Sequence, residues 1–503
     1  MRKVLTNALY LTLPKFLTVG LNLILTPLFI HSLGLEAFGT WSVFQSLMFY
    51  LLLLDFGVGG ALVKFIAEAH TQQAYSRVSA LFSTVFYFYL ALSGAVFLLA
   101  LFLREPFCTL LRIPEPNTSA VHTLYLTTFI AFAFYALTIA IISVFEGAQA
   151  FELSVGILSL GLFLSNAFAA ILLLLGFGLD ALAWGHLVAM VIMCGSGAMV
   201  LRWYFPHVTL SFFNKALLRE LFQCGVRLHL YTASLWLITR LEVPLVSSLL
   251  GTSAAGTFRV AMQLSTLARE LPTLGLPALF SAAVSLHTAG DTTGFNRLTD
   301  DATKYLAFAT LSFSGFLFFN IEHILRFWLN APDISHPARI AQWLLIGFTL
   351  NAIASVPMLM LRARSDLQIE TRLNLATMIL HLLCNLTLLY VIGESAMGLA
   401  TLLVVSLLSL LMMQQCYTAL QASFRAMLLR TLLPMTIWTA LWAAMAHFVV
   451  ETLLTLEHFA LPLRTRELVF LMLSGLLFAV GQVLLGLRLK LIDTSALFRA
   501  VQK

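Results

Sequence analysis

The sequence predicts an all-α integral membrane protein of fourteen transmembrane helices. They form two six-helix lobes related by a parallel pseudo-two-fold repeat, with two helices appended. Three observations carry this expectation. The chain has 503 residues, 60% hydrophobic and only 10% charged, far from the soluble norm of roughly 45–50% apolar and 25% charged. The apolar residues come in runs of about 20 or more, the length that spans a ~30 Å hydrocarbon core. And the stretch PLFIHSLGLEAFGTW, Pro27 to Trp41, returns 217 residues later as PLVSSLLGTSAAGTF, Pro244 to Phe258, with seven of fifteen columns identical. The matches include Pro27/Pro244, Gly34/Gly251, Gly39/Gly256 and Thr40/Thr257, and Gly and Pro coincide by chance far less readily than Leu or Ala.

The fourteen runs lie at 6–30, 38–63, 79–103, 119–145, 153–176, 180–201, 227–250, 255–286, 303–329, 338–361, 372–392, 396–418, 430–450 and 467–487. The first is too long for a signal peptide and lacks a small-residue cleavage site, so it is expected to stay. Nineteen Lys and Arg fall on the side of the N-terminus, and only Arg104, Arg112, Arg464 and Arg466 fall in the opposite connections. The positive-inside rule then places both termini in the cytoplasm, which agrees with an even helix count. The net charge of +6 is read as this orientation signal and not as a nucleic-acid patch.

The repeated turn joins helices 1 and 2 in its first copy and helices 7 and 8 in its second. Six helices per unit keep both copies in one orientation, the parallel type of transporter repeat. The expected organisation is an N-lobe at 1–203, a cytoplasmic amphipathic linker at 204–225, a C-lobe at 226–418, and helices 13 and 14 with a cytoplasmic tail at 419–503. In the linker, Phe213, Leu217, Leu218, Leu221 and Phe222 share one helical face, as suits a helix lying in the membrane interface. The segment Gln421 to Leu433 has a similar character. No connection has room for a soluble catalytic domain.

Charges at bilayer depth are costly and face an interior or a watery cavity. Lys15 lies about 13 Å into helix 1, and Thr18, Asn22 and Thr26 share its face. The alternative reading of Lys15 is a snorkelling side chain. Asp55 in helix 2 lies at a similar depth, where it can pair with Lys15 or serve in ion coupling. Gly57, Gly59 and Gly60 follow, three glycines in four residues, which weaken the helix or admit a close neighbour.

In the C-lobe, helix 7 carries Arg240, Glu242 and Pro244. On helix 8, Arg259, Gln263, Thr266 and Glu270 form a polar stripe with Arg269 displaced from it. Pro272 and Pro277 fall in the region matching Asp55 to Gly60, so both lobes interrupt the same helix, one with Gly and one with Pro. Such breaks survive in membranes where protein or cavity water satisfies the freed backbone. Helix 11 adds a milder stripe, Asn374, Thr377, His381 and Asn385, in which His381 reads first as a packing group.

The five cysteines show no spacing that suggests a disulfide frame or a metal site. No Gly-rich GK[ST] loop, HExxH, GxSxG or CxxC is present. The sequence therefore predicts no enzyme, no cofactor and no metal.

Two segments carry a resemblance. LTPLFIHSLGLEAFGTWSV and LLLLDFGVGGALVKFIAEA, with Pro27-Leu28, Gly34, Asp55, Gly57, Gly59 and Lys64, resemble the polysaccharide transport family of oligosaccharide flippases. That family belongs to the superfamily that also holds lipid II flippases and multidrug and toxin extrusion antiporters. The resemblance implies translocation of an undecaprenyl-diphosphate-linked oligosaccharide from the cytoplasmic to the outer leaflet of a bacterial inner membrane, by alternating access of the lobes. It also implies membrane lipids, a polysaccharide polymerase and chain-length proteins as partners. A diphosphate needs fixed cations, and Arg can grip its oxygens bidentately. Lys15, Asn22, Arg240, Arg259, Gln263 and Arg269 are the expected substrate groups, Asp55, Glu242 and Glu270 the acids for ion coupling or charge pairing, and Gly57, Gly59, Gly60, Pro272 and Pro277 the hinges. Two alternatives stay open: a cation-coupled drug exporter, which Lys15 disfavours, and a polytopic glycan polymerase or ligase, which would need a catalytic outer loop.

Overall fold

A computed structural model of the chain describes the backbone of residues 2–331, 334–365, 368–456, 462–489 and 491; within these, the side chains of 2–19, 227–228, 230–240, 278 and 456 fall outside the description. The described residues are helical almost throughout and contain no strand. They divide into two compact units, Met1–Arg259 and Val260–Lys503.

The first unit runs α1 (Arg2–Leu53), α2 (Val58–Thr71), α3 (Tyr75–Leu110), α4 (Ser119–Gly147), α5 (Phe151–Leu174), α6 (Leu179–Tyr204), α7 (Lys215–Arg240), α8 (Glu242–Leu250) and the start of α9 (Thr252–Glu270). The second continues from α9 through a tight turn at Pro272–Gly275 to α10 (Leu276–Thr288), α11 (Thr292–Leu329), α12 (Ser335–Ala363) and α13 (Gln368–Ile392). It ends with α14 (Ser406–Ala419), α15 (Phe424–Met427), α16 (Leu433–Leu456) and α17 (Leu463–Arg488), the wide turns Thr401–Val405 and Leu428–Leu432 leading into α14 and α16.

All fourteen apolar runs fall on helices. Among the described residues eleven helices are long and apolar enough to cross a membrane, twelve when the bent pair α9–α10 counts as one span. The chain is thus a multi-pass membrane protein. The eleven include Gly20–Leu53 as one helix, yet α1 leaves helical geometry at Gly34 (φ 81°, ψ 165°), where the predicted helices 1 and 2 meet.

The repeat extends far beyond its fifteen-residue signature. Helix α11 begins 292 − 75 = 217 residues after α3, α12 begins 335 − 119 = 216 after α4, and α13 begins 368 − 151 = 217 after α5. Helices α4 and α12 have 29 residues each. They are also the most buried, with 67% and 78% of their most apolar stretch inside the protein, against 22% in both α5 and the helix that begins with α13. A helix hydrophobic all round belongs inside its bundle, and one with a single packed face belongs at the lipid boundary.

Both copies of the turn adopt one conformation, because Gly251 (φ 96°, ψ 171°) repeats the geometry of Gly34. Positive φ with extended ψ is a region only glycine enters freely. The second glycine of each copy serves packing instead. A Cβ on Gly39 would run into the carbonyl oxygen of Thr252, and one on Gly256 into that of Leu35, with the Gly39 Cα 3.3 Å away. The two turns therefore lie backbone to backbone, the close approach that small residues permit between membrane helices.

Helix 2 breaks where its glycines sit. Leu54–Gly57 leave the helix, with Phe56 at φ 52° and Gly57 at φ 77°, before α2 starts at Val58. The matching helix in the second unit breaks at Pro272–Gly275 and bends by 44°. The linker differs from the expected interfacial helix in one respect. Residues 205–214 are non-helical and α7 begins only at Lys215, running without interruption into the seventh apolar segment. Hydroxyls of α3 satisfy that open backbone: Ser79 Oγ donates to the His207 carbonyl (3.1 Å), and Ser79, Ser83 and Thr84 accept from the N–H groups of Thr209 (3.1 Å), Ser211 (2.7 Å) and Asn214 (3.3 Å). Side chains thus take the place of the helical ladder there.

Candidate functional site

The breaks in the two interrupted helices carry most of the candidate residues. In the first unit the break is organised by Asp55, whose side chain is 17% exposed. Its carboxylate accepts from Gly57 N–H (2.7 Å), Gly59 N–H (3.3 Å) and the Tyr89 hydroxyl (3.1 Å). The fourth neighbour is His229 Nδ1 at 3.7 Å, on α7. Asp55 thus satisfies backbone donors that the first turn of α2 leaves without helical partners. Its negative charge also sits at the positive end of the α2 dipole.

The glycines have distinct parts. Gly57 holds the left-handed conformation and touches α7: a Cβ there would meet the Gly225 carbonyl oxygen, and His229 Cβ at 3.0 Å. Gly59 leaves room for Tyr89, whose hydroxyl would stand 2.9 Å from an added Cβ. Among the described residues nothing stands within 4 Å of a Cβ added at Gly60. Gly225 is the partner that sequence reading missed, its own Cβ position lying 2.7 Å from the Gly57 carbonyl oxygen.

The expected contact between Lys15 and Asp55 lies outside the described residues, since the Lys15 side chain is not among them. The Arg240 side chain is likewise outside, at the end of α7. Asn22, Arg259, Gln263 and Arg269 are partly buried. Arg269 lays its guanidinium 5.4 Å from the centre of the Phe348 ring, a cation–π contact. Glu242 is 3% exposed in the first turn of α8, the favourable end of that helix dipole, while Glu270 is exposed at the end of α9.

Helix 11 of the sequence reading, α13, turns its polar stripe inward: Asn374, Thr377, His381 and Asn385 are all buried. His381 Nε2 is 3.1 Å from Thr401 Oγ1 and 3.2 Å from Asn385 Nδ2. That is how a polar group packs between membrane helices.

An expected result follows from the Asp55 geometry. Asp55→Ala removes a capping acceptor and strands the Tyr89 hydroxyl, so the unfolding midpoint in detergent falls, by the equivalent of about 1–3 kcal/mol. Gly60→Ala, at the position open to space, leaves it unchanged. Equal midpoints for the two variants would remove Asp55 from its structural role.

These features define a class: a multi-pass helical membrane fold built on an internal repeat, with the same helix broken in each copy. Within that class, the model of the family described as "Polysaccharide biosynthesis protein" matches residues 4–280, more than half of the chain, and the chain belongs to that family. No curated protein matches. Among solved structures the chain is similar to the lipid II flippase MurJ in an inward closed conformation: 14% identity, TM-score 0.71, 95% of this chain and 99% of that one covered. It is also similar to an inward-facing multidrug resistance MATE family transporter of the MOP superfamily, at 14% identity and TM-score 0.64, covering 82% of this chain and 98% of that one. A MOP superfamily transporter from Pyrococcus furiosus, titled for the reverse polarity of its binding pocket, matches at 11% identity and TM-score 0.52, covering 82% and 95%. At such identities the likeness is one of fold.

Proposed function

We propose that the chain is a flippase that moves an undecaprenyl-diphosphate-linked oligosaccharide from the cytoplasmic to the outer leaflet, by alternating access, for cell-surface polysaccharide biosynthesis. The observation that carries the reading is the extent of the match. The MurJ fold accounts for 95% of this chain, helices α16 and α17 being needed to reach that share, while the MATE folds account for 82–83%. A fold shared over nearly the whole length with a protein titled a lipid II flippase, joined to membership of a polysaccharide biosynthesis family, favours a lipid-linked glycan over a soluble drug. Transport without covalent chemistry agrees with the missing catalytic motifs, so the chain is no enzyme in this reading.

In this proposal residues 1–203 form the N-lobe, 204–225 the cytoplasmic linker, 226–418 the C-lobe, and 419–503 the appended pair and tail. The chain sits in the bacterial inner membrane with both termini in the cytoplasm. Lys15, Arg240, Arg259 and Arg269 bind the diphosphate, and Asn22 and Gln263 donate to sugar hydroxyls. Asp55, Glu242 and Glu270 provide ion coupling or charge pairing. The breaks at Gly57, Gly59 and Gly60 and at Pro272 and Pro277 are the hinges, and a polymerase and chain-length proteins receive the product.

The experiment is substitution of the cations. Arg269→Ala and Arg240→Ala are expected to insert normally and to lose surface glycan. Wild-type glycan levels in both, at wild-type protein levels, would remove the cationic site from the proposal.

A further inference from the structure

The second unit holds a buried cluster of ionisable groups that the sequence reading did not anticipate, where α11, α16 and α17 come together. His323 of α11 and Glu467 of α17 have side chains 8% and 4% exposed, and His323 Nδ1 stands 2.6 Å from Glu467 Oε2. The imidazole lies flat on Phe470, with ring centres 3.5 Å apart and planes 17° apart. Its other nitrogen, Nε2, faces Glu451 Oε2 of α16 at 3.7 Å. That oxygen is buried and has no hydrogen-bond partner among the described residues. Glu451 Oε1 is 3.8 Å from Arg466 of α17.

The neighbouring groups fix the chemistry. Asn320 Nδ2 donates to the Phe316 carbonyl (2.9 Å), which turns its oxygen toward His447 Nδ1 at 3.3 Å. His447 therefore carries its proton on Nδ1, and its ring centre is 5.5 Å from that of His323. On α11 itself Glu322 is paired with Arg326 at 3.1 Å. Helix α12, which also packs on α11, carries His336 and Arg339 near its start, at the same end of the bundle. His287 of α10 and Arg430 before α16 lie toward the other end, Arg430 being 17 residues, or about 25 Å, along the helix from His447.

We propose that His323 is a proton-binding site, the proton entering at Nε2 opposite Glu451, and that its occupancy ties the ends of α16 and α17 to α11. With the proton bound, imidazolium donates from Nδ1 to Glu467 and points Nε2–H at Glu451. Two cations, His323 and Arg466, then face two carboxylates. When the proton leaves to solvent, the Nε2 lone pair faces a carboxylate oxygen at 3.7 Å in a water-poor site, and Glu467 and Glu451 together outweigh Arg466. The three helices are held while the proton is bound and released when it leaves. The reading of this end as the outer face rests on the orientation given under Proposed function; the tie itself does not.

The test is hydrogen exchange by mass spectrometry on the purified full chain, between about pH 5.5 and 8, corrected for the intrinsic rate. Peptides covering residues 440–456 and 463–474 are expected to lose protection with rising pH, by about tenfold for an interaction worth one pH unit. His323→Gln keeps an amide donor for Glu467 but carries no titrating proton, and its protection becomes flat with pH. Glu451→Gln, at a half-exposed position, removes the charge facing Nε2 and weakens the response in 440–456, while that in 463–474 remains. A wild-type response that persists in His323→Gln, or no response in the wild type, overturns the proposal. The same proteins in liposomes with a lipid-linked oligosaccharide add a second arm, in which His323→Gln flattens the pH profile of flipping. Absence of flipping by the wild type at every pH refutes the flippase reading and leaves the exchange result to decide the proton site.

Discussion

Arg362→Ala is expected to destabilise the protein by about 3 kcal/mol, at the lower end of the range for breaking a buried ion pair. Glu370 is fully buried at the start of α13, and Arg362, at the end of α12, meets it in a two-pronged contact: Nε to Oε2 at 2.7 Å and the terminal nitrogen on Oε1. The planar guanidinium matches the carboxylate fork, and its removal takes two charge-assisted hydrogen bonds from a carboxylate that water cannot reach. Arg362 is itself 38% exposed, which keeps the loss from the upper end of the range. Arg364→Ala, two residues on, is the comparison. That side chain is exposed and, among the described residues, bonds the Ala419 carbonyl at 3.2 Å, so little change is expected. Thermal unfolding in detergent measures both, and equal midpoints would mean that the buried carboxylate finds another partner.

Gly39→Val and Gly256→Val are each expected to lower the yield of folded protein severalfold and to abolish the proposed transport. Each added side chain would enter the backbone of the opposite turn, Thr252 in one case and Leu35 in the other. A backbone carbonyl cannot rotate away as a side-chain tip can, so the turns must part and the packing between them is lost. Gly60→Val is the control for the folding effect alone, with no atom of the described residues within 4 Å of its Cβ position. Size-exclusion profiles of the detergent-solubilised proteins read the folding effect, and a normal Gly39→Val profile with normal surface glycan would contradict the close packing of the repeat.

The parts of the fold that rest on hydrophobic period and on glycine were legible from the sequence. The fifteen-residue repeat announced a register that the helix starts of α3, α4 and α5 and of α11, α12 and α13 keep to within one residue. The break after Asp55 was legible because three glycines stand together. Its partners were not: Tyr89 is one of twelve tyrosines, and Gly225 and His229 lie some 170 residues from Asp55, with no local pattern to point from one to the other. The same holds for His323, Glu451 and Glu467. Each sits near a helix end, where a charge reads as an ordinary boundary residue, and only packing of α11 against α16 and α17 brings them together. The linker shows the opposite failure, in which an amphipathic pattern from Phe213 to Phe222 was real but helix formation starts only at Lys215, because hydroxyls of α3 compete for the preceding backbone.

The central claim is that the chain carries a lipid-linked oligosaccharide across the membrane, and leaflet-selective labelling of that oligosaccharide in cells lacking the protein tests it most directly. The account predicts accumulation on the cytoplasmic face, relieved by the wild-type chain and not by Gly39→Val. Precursors that reach the outer face and stay there unpolymerised or unattached would contradict it and place the protein after the flipping step.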